Sequence, residues 1–166
     1  MYRTVNDFLN VWEYESEATA KVFETLTKES LDQKVWDEGR TLKKLVWHII
    51  ASSVKMIEDG GIVTGDYKLY SENDDNLSVI VEEYKRSALF IKESVSSNLK
   101  DSDMLVKVNV YGEVWEKGKL LHSLVLHQAH HRAQITVLMR QAGLKVPGLY
   151  GPSKEEWQQM GMNPQE

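Results

Sequence analysis

Apolar residues recur at intervals of three and four positions along most of the chain, which is the spacing of one face of an α-helix. Polar residues fill the positions between them, so each stretch predicts a helix with a buried side and a wet side. Glu13, Glu15 and Glu17 are assigned to the wet side of the first helix. The four long helices predicted in this way run from Thr4 or Asn6 to Thr27, from Thr41 to Glu58, from Asn76 to Ser97 and from Lys117 to Ala142.

The segments between these helices predict few further elements. Residues 61–75 form a polar connection, whereas the stretch from Met104 to Trp115 alternates apolar and polar residues and predicts a short extended crossover or hairpin. A capping box opens a short C-terminal helix from Lys154 to Met160. The 3 prolines all follow residue 146 and leave the long helices uninterrupted. The predicted fold is all-α, a four-helix bundle forming a single domain over residues 1–166.

Composition narrows the classes of function. The 166-residue chain has a net charge of -5 and no long block of lysine and arginine, so it lacks the basic surface that binds nucleic acid. Cysteine is absent, which leaves histidine and carboxylate as the candidate metal ligands. No stretch is apolar for the roughly 18 residues that a membrane span needs, and the acidic N-terminus is not typical of a secretory signal. The sequence therefore predicts a soluble, cytoplasmic protein without nucleic-acid or membrane partners.

Most of the histidines fall on the fourth predicted helix, and the helical angle decides where each one points. At about 100° per residue, His127 and His131 differ by ~40° and share the apolar face of the helix. His130 is displaced by ~60° from His127, and Arg132 by ~140°, which assigns both to the rim or the surface. His122 falls on roughly the far side of the helix and is assigned to the surface or an interface.

His127 and His131 are spaced for chelation, because positions i and i+4 place two imidazoles on adjacent turns, within reach of one small cation. Two buried imidazoles hydrogen-bonded to neighbouring groups would give the same pattern, and two ligands alone hold a transition metal weakly. A third ligand is available in His48, at the edge of the apolar stripe of the second helix. Three neutral imidazoles leave coordination positions for water or substrate, as in catalytic sites, and Gln134 is a candidate to orient one ring.

Three runs of residues resemble a known family over nearly the full chain. They are Leu-x-x-His-x-x-His-His-Arg-x-Gln from Leu124 to Gln134, Leu-Val-Trp-His from Leu45 to His48, and the ending from Leu138 to Pro147. With these runs the chain resembles the DinB-like, damage-inducible four-helix-bundle proteins, which are related to bacterial thiol S-transferases. One departure is Ala133, where the family often has glycine; a side chain this small leaves the ligands undisturbed.

The resemblance carries expectations about fold, metal and assembly. It implies an up-down-down-up bundle and a divalent metal, commonly zinc or nickel, held by His48, His127 and His131, with His130 not a ligand. It also implies a homodimer. The residues alone leave that point open, because the second apolar face of the fourth helix either meets a second copy or packs within its own bundle. That face consists of Leu121, Val125 and Met139.

On this resemblance, the leading hypothesis is a divalent-metal-dependent enzyme of the thiol S-transferase type. The metal-bound thiol of a low-molecular-weight cosubstrate would attack an electrophile. A metal-dependent hydrolase that activates water would use the same site. A non-enzymatic metal-binding or stress-response protein, or a bundle that serves protein interaction, is also compatible with the sequence.

Overall fold

The protein is a bundle of four long α-helices with a small hairpin and a short C-terminal helix, which confirms the predicted all-α class. A computed structural model describes residues 1–63, 66–71 and 73–164. Part of the predicted polar connection, residues 64, 65 and 72, lies outside these ranges. The helix bounds agree with the predicted ones to within a residue, apart from the end of the first helix. The helices are α1 (Val5–Phe23), α2 (Leu42–Asp59), α3 (Leu77–Asn98), α4 (Lys117–Gln141) and α5 (Lys154–Gln159).

Local caps set the helix ends. α1 stops at Phe23 and not at the predicted Thr27, because Thr27 has an extended backbone and caps a separate 3-10 helix, Lys28–Asp32. Leu26 is nevertheless buried, so the apolar pattern continues beyond the end of the helical backbone. α1, α2 and α3 each begin after a side chain that accepts a hydrogen bond from a backbone N–H of the first turn: Thr4, Thr41 and Asn76.

The predicted extended stretch is an antiparallel hairpin of two strands, β1 (Lys107–Val110) and β2 (Glu113–Glu116). It begins later than predicted, because the chain first forms a 3-10 helix, Asp101–Leu105. Tyr111 and Gly112 join the strands with positive φ angles of 55° and 79°, as a tight two-residue hairpin turn requires. α4 follows β2 without a connecting residue, so the hairpin fixes where the longest helix starts.

Packing places α2 against α4. Around the bundle the helices follow the order α1, α3, α2, α4, and the contact between α2 and α4 is the most extensive. One contiguous apolar core runs between them, and Phe8, Trp12, Ile49 and Leu124 are almost fully buried in it. Within the described ranges, no helix is long and apolar enough to cross a membrane. The consequence for the site is that side chains on the facing sides of α2 and α4 meet.

Two predicted surface positions are wrong. Glu15 and Arg132 are only 6% and 1% exposed, although helical angles assigned them to the wet side and the rim. Their charged groups lie 2.7 Å apart, and this pairing offsets the large penalty of burying either charge alone. Glu13 and Glu17 are exposed, as predicted.

The second apolar face of α4 belongs to the protein's own core. Leu121 and Met139 are fully buried and Val125 is 7% exposed in the single chain. Burial against neighbouring helices, one of the two interpretations of this face, is therefore confirmed. The homodimer remains a prediction that rests on the family resemblance alone.

Candidate metal centre

Three histidines from α2 and α4 meet at one point of the bundle. The Nε2 atoms of His48 and His131 lie 3.1 Å apart, and those of His131 and His127 are also 3.1 Å apart. One ligand atom from each of the three rings lies within 4.8 Å of the others. The spacing of one helical turn brings His127 and His131 together, and the packing of α2 on α4 adds His48.

The spacing and the chemistry of these nitrogens fit a small divalent ion. Nitrogen ligands at about 2.1 Å from a common ion lie ~3.0–3.4 Å apart for octahedral or tetrahedral angles. The two measured separations of 3.1 Å fall in this range. Three imidazoles without a thiolate or carboxylate form the donor set of an open transition-metal site, with room for a further ligand.

Burial keeps the three imidazoles in the neutral form that binds metal. It is the main cause that lowers the pKa of His48, His127 and His131, and the pKa of His127 falls to about 4. Neighbouring imidazoles and the positive charge of Arg40 lower the pKa values further. At neutral pH each ring therefore already has one unprotonated nitrogen whose lone pair can bind a metal.

Gln134 orients His131. Its Oε1 accepts a hydrogen bond from Nδ1 of His131 at 2.7 Å, which places the proton on Nδ1 and leaves the Nε2 lone pair facing the cluster. His130 is exposed, as predicted. His122 is half-buried, with its ring edge-on to that of Tyr2 at a centroid distance of 5.5 Å. Neither His130 nor His122 belongs to the three-histidine cluster.

Behind the histidines, a buried polar network ties α4 to α1. Arg132 donates to the Glu15 carboxylate at 2.7 Å, to the Glu15 backbone oxygen at 3.1 Å and to the Thr19 hydroxyl at 3.0 Å. Tyr150, beyond α4, donates to the same carboxylate. Because Arg132 directly follows His131, the network fixes the turn of α4 that carries this ligand. Sequence reasoning missed it, since Glu15 is 117 residues away from Arg132 along the chain.

Among the described residues, two of the cavities are each lined by one histidine of the cluster. One, the apolar cleft, has a volume of about 500 Å³ and reaches His131; its walls include Val35, Trp36, Arg40, Gln134 and Val137. The other, the polar cleft, has a volume of about 420 Å³ and reaches His48; its walls include Ser52, Lys55, Glu58 and Tyr67. Nothing periodic in the sequence marked the stretch between Thr27 and Thr41 as part of a site, so Trp36 and Arg40 were not foreseen.

Comparison with known proteins shows that the chain is similar to the members of one family. The model of the DinB family matches residues 1–166. The uncharacterized protein YrdA of Bacillus subtilis strain 168 is 36% identical over 169 residues, covering 98% of this chain and 97% of YrdA. A DinB-like protein from Bacillus cereus ATCC 10987 has a similar crystal structure, with a TM-score of 0.83 and 36% identity over 90% of this chain and 100% of the other.

A more distant crystal structure shares the fold alone. The DinB-like protein YjoA of Bacillus subtilis is 15% identical, with a TM-score of 0.63 over 82% of this chain and 92% of YjoA. The full-length match of the family model and the 36% identity to YrdA carry the assignment beyond the fold. The chain therefore belongs to the DinB family.

Proposed function

We propose that this DinB protein is a divalent-metal-dependent thiol S-transferase, with zinc or nickel held by His48, His127 and His131. An ion held by these three neutral imidazoles would lower the pKa of a thiol bound to it, which would make the nucleophilic thiolate available at neutral pH. The chain contains 0 cysteines, so the reacting sulfur comes from a low-molecular-weight cosubstrate. Gln134 supports this role by holding the Nε2 atom of His131 toward the cluster.

The proposed reaction joins two small molecules. A thiol RSH and an electrophile R′X give the thioether RSR′ and HX. The sulfur–carbon bond forms with the electron pair of the thiolate, the carbon–X bond breaks, and X leaves with that bond's electrons. The thiol proton ends on X or on the solvent, so the reaction needs no oxidant or reductant.

The observation that carries this proposal is the presence of two cavities at one histidine cluster. His131 lines the apolar cleft and His48 lines the polar cleft, so each of two different molecules has a cavity beside a different histidine of the cluster. A transferase with two substrates needs such an arrangement, because both must be bound close together when the new bond forms. A hydrolase needs only one organic substrate, since water is the other, and a storage protein needs neither cavity.

Elemental analysis and an activity screen test the proposal. Protein purified without a histidine tag is analysed for zinc and nickel, and then assayed with a panel of thiols and electrophiles. His131→Ala should lose the metal and thioether formation together. His122→Ala is the matched control, because His122 lies on the same helix outside the cluster, and it should keep both.

Three results would contradict the transferase. Protein that holds no divalent metal even after reconstitution removes the metal site. A folded His131→Ala variant that still forms thioether removes the role of the cluster. Retained metal with hydrolysis of an ester or amide, and no thioether from any thiol, identifies the hydrolase instead.

We also propose where the protein is located and how it assembles. A cosubstrate thiol stays reduced in the cytoplasm, which is where we place the protein. Family resemblance supports a homodimer, and sedimentation equilibrium at several protein concentrations measures this directly, with a mass twice the monomer's 19.1 kDa expected.

A further inference from the structure

Two parts of the chain form the walls of the apolar cleft. One wall is the segment between the first 3-10 helix and α2, which is closed by a 2.8 Å hydrogen bond from the Leu42 N–H to the Gln33 carbonyl. Within it, the Gly39 N–H donates to the Trp36 carbonyl at 2.9 Å, and a Cβ on Gly39 would lie 3.1 Å from the Trp36 ring. Gly39 therefore packs against the indole of Trp36, which lines the cleft. The second wall is the face of α4 that carries His131 and Val137.

Large apolar side chains are exposed on both walls. Val35, Trp36 and Val137 are 59%, 63% and 54% exposed, and all three line this one concavity. Leu45 and Leu138, which also line it, are almost fully buried and form its floor. Exposed apolar surface that is concentrated in a concave site indicates a ligand with an apolar body, because scattered single residues give no such enclosure. A volume of about 500 Å³ is that of a small-molecule pocket.

The apolar cleft contains one positively charged side chain that pairs with no acidic residue of the described chain. Arg40 is exposed at the cleft and makes no hydrogen bond or ion pair with any residue in the described part of the chain. Glu38 lines the same cleft and does not pair with it. Arg40 lines this cleft together with His131. The cleft therefore combines a positive group, exposed apolar side chains and one histidine of the cluster.

We propose that the apolar cleft binds the electrophile, and that this electrophile is a small organic carboxylate with an aromatic or branched aliphatic body. The body lies against Trp36 and Val137, and the carboxylate pairs with the guanidinium of Arg40, whose planar set of donors matches the two oxygens of a carboxylate. Because His131 lines the same cleft, a ligand held in this way lies next to the histidine cluster. The role of the ligand as electrophile rests on the proposed transferase function, whereas its binding in the cleft needs no metal.

Binding of two probes that differ in charge alone tests the inference. 4-Phenylbutyrate and its neutral amide, 4-phenylbutyramide, share the same apolar body, and both are titrated into chelator-treated protein so that neither can bind through a metal. The indole N–H signal of Trp36 in a ¹H–¹⁵N spectrum reports occupancy. The carboxylate should bind ~2–5-fold more tightly than the amide, as expected when an exposed charged pair is added.

Variants separate the two parts of the cleft. Arg40→Gln should weaken binding of the carboxylate ~2–5-fold and leave binding of the amide unchanged. Val137→Ser should weaken both probes by a similar factor, since it acts on the apolar body alone. Lys44→Gln is the matched control, because it removes an exposed positive charge from the start of α2, outside the cleft, and should change neither affinity. Arg40 and Val137 are both exposed, so these variants should fold normally.

Equal binding of the two probes, or an Arg40→Gln variant that binds the carboxylate as tightly as the wild type, would overturn the inference. So would a dimer that Val137→Ser dissociates while neither probe binds, because the cleft would then be a contact between two copies. These outcomes are independent of the proposed function: the metal content and thioether formation of the wild type are measured separately, without either probe.

Discussion

Replacing Arg132 by methionine tests the most unexpected feature of the fold, the buried ion pair between α4 and α1. Methionine keeps a long, flexible side chain in the space and removes the charge. The change deletes the 2.7 Å ion pair to Glu15 and the donors to the Glu15 backbone oxygen and the Thr19 hydroxyl. Glu15 is left as a buried carboxylate whose remaining donor among the described residues is the Tyr150 hydroxyl.

The magnitude follows from the burial of the pair. The side chains of Arg132 and Glu15 are 2% and 8% exposed, so solvent screens the interaction little. Removing one partner of such a pair costs ~3–5 kcal/mol, because an uncompensated charge stays in the interior. For a chain of this length, about 2–4 °C of melting temperature is lost per kcal/mol, so the melting temperature should fall by ~6–20 °C. Glu15→Met should have a similar effect, since it leaves Arg132 unpaired.

A double variant tests whether the loss of stability comes from the interaction between Glu15 and Arg132. Glu15→Met combined with Arg132→Met removes both charges, and its free energy of unfolding should lie within ~2 kcal/mol of the wild type. Urea denaturation of the four proteins, followed by circular dichroism, gives the coupling energy of the cycle. Lys92→Met is a control, because Lys92 forms an exposed pair with Glu13 and should cost less than ~1 kcal/mol.

Additive behaviour would refute this account. If the two single substitutions each cost less than ~1 kcal/mol, or if their effects simply add in the double variant, the pair is not energetically coupled. Its burial would then not explain why these two charged residues lie inside the bundle.

Two further predictions concern metal affinity and pH. Gln134→Leu removes the acceptor of the His131 Nδ1–H at 2.7 Å, and zinc affinity, measured by competition with a chromophoric chelator, should fall ~10–100-fold. For pH, the bidentate contact with Arg140, at 2.6 and 2.8 Å, is the first cause that lowers the pKa of Glu155 to about 2. In a ¹³C NMR titration, the side-chain carboxyl signal of Glu155 should have its midpoint near pH 2. The contact between Arg140 on α4 and Glu155 on α5 should therefore weaken only as the pH falls from 4.5 toward 2.

Each of these predictions has a matched variant. Gln134→Glu keeps an acceptor for His131 and should retain most of the affinity; a Gln134→Leu variant that binds zinc as the wild type does would show that the hydrogen bond is dispensable. Arg140→Gln should return the midpoint of Glu155 toward the ordinary value of 4.5. A midpoint near 4.5 in the unaltered protein would show that the contact is absent in solution.

Local rules determined the helices. Apolar periodicity and the caps Thr4, Thr41 and Asn76 set the helix starts to within a residue, because capping involves only neighbouring backbone groups. The end of α1 was wrong, since the buried Leu26 continued the pattern into a turn. Apolar periodicity reports which residues are buried, and a turn can bury a side chain as well as a helix can.

Only part of the candidate site could be predicted from the sequence. His127 and His131 share a face of one helix, so their proximity follows from the helical angle alone. His48 was placed with them by resemblance, and its position is a product of α2 packing on α4. The same angular reasoning gave the wrong position for Arg132. A helical angle gives the direction of a side chain, but it does not show which residue of another helix lies in that direction.

By itself, the sequence determined the all-α class, the helix starts and the pair of inward histidines, all of which depend on residues within a turn or two of one another. Tertiary structure alone decided the buried pair of Glu15 and Arg132, the arrival of Trp36 and Arg40 beside His131, and the two cavities at the cluster. These features join residues that are distant along the chain. Their energies depend on burial and on partner geometry, which exist only once the helices have packed.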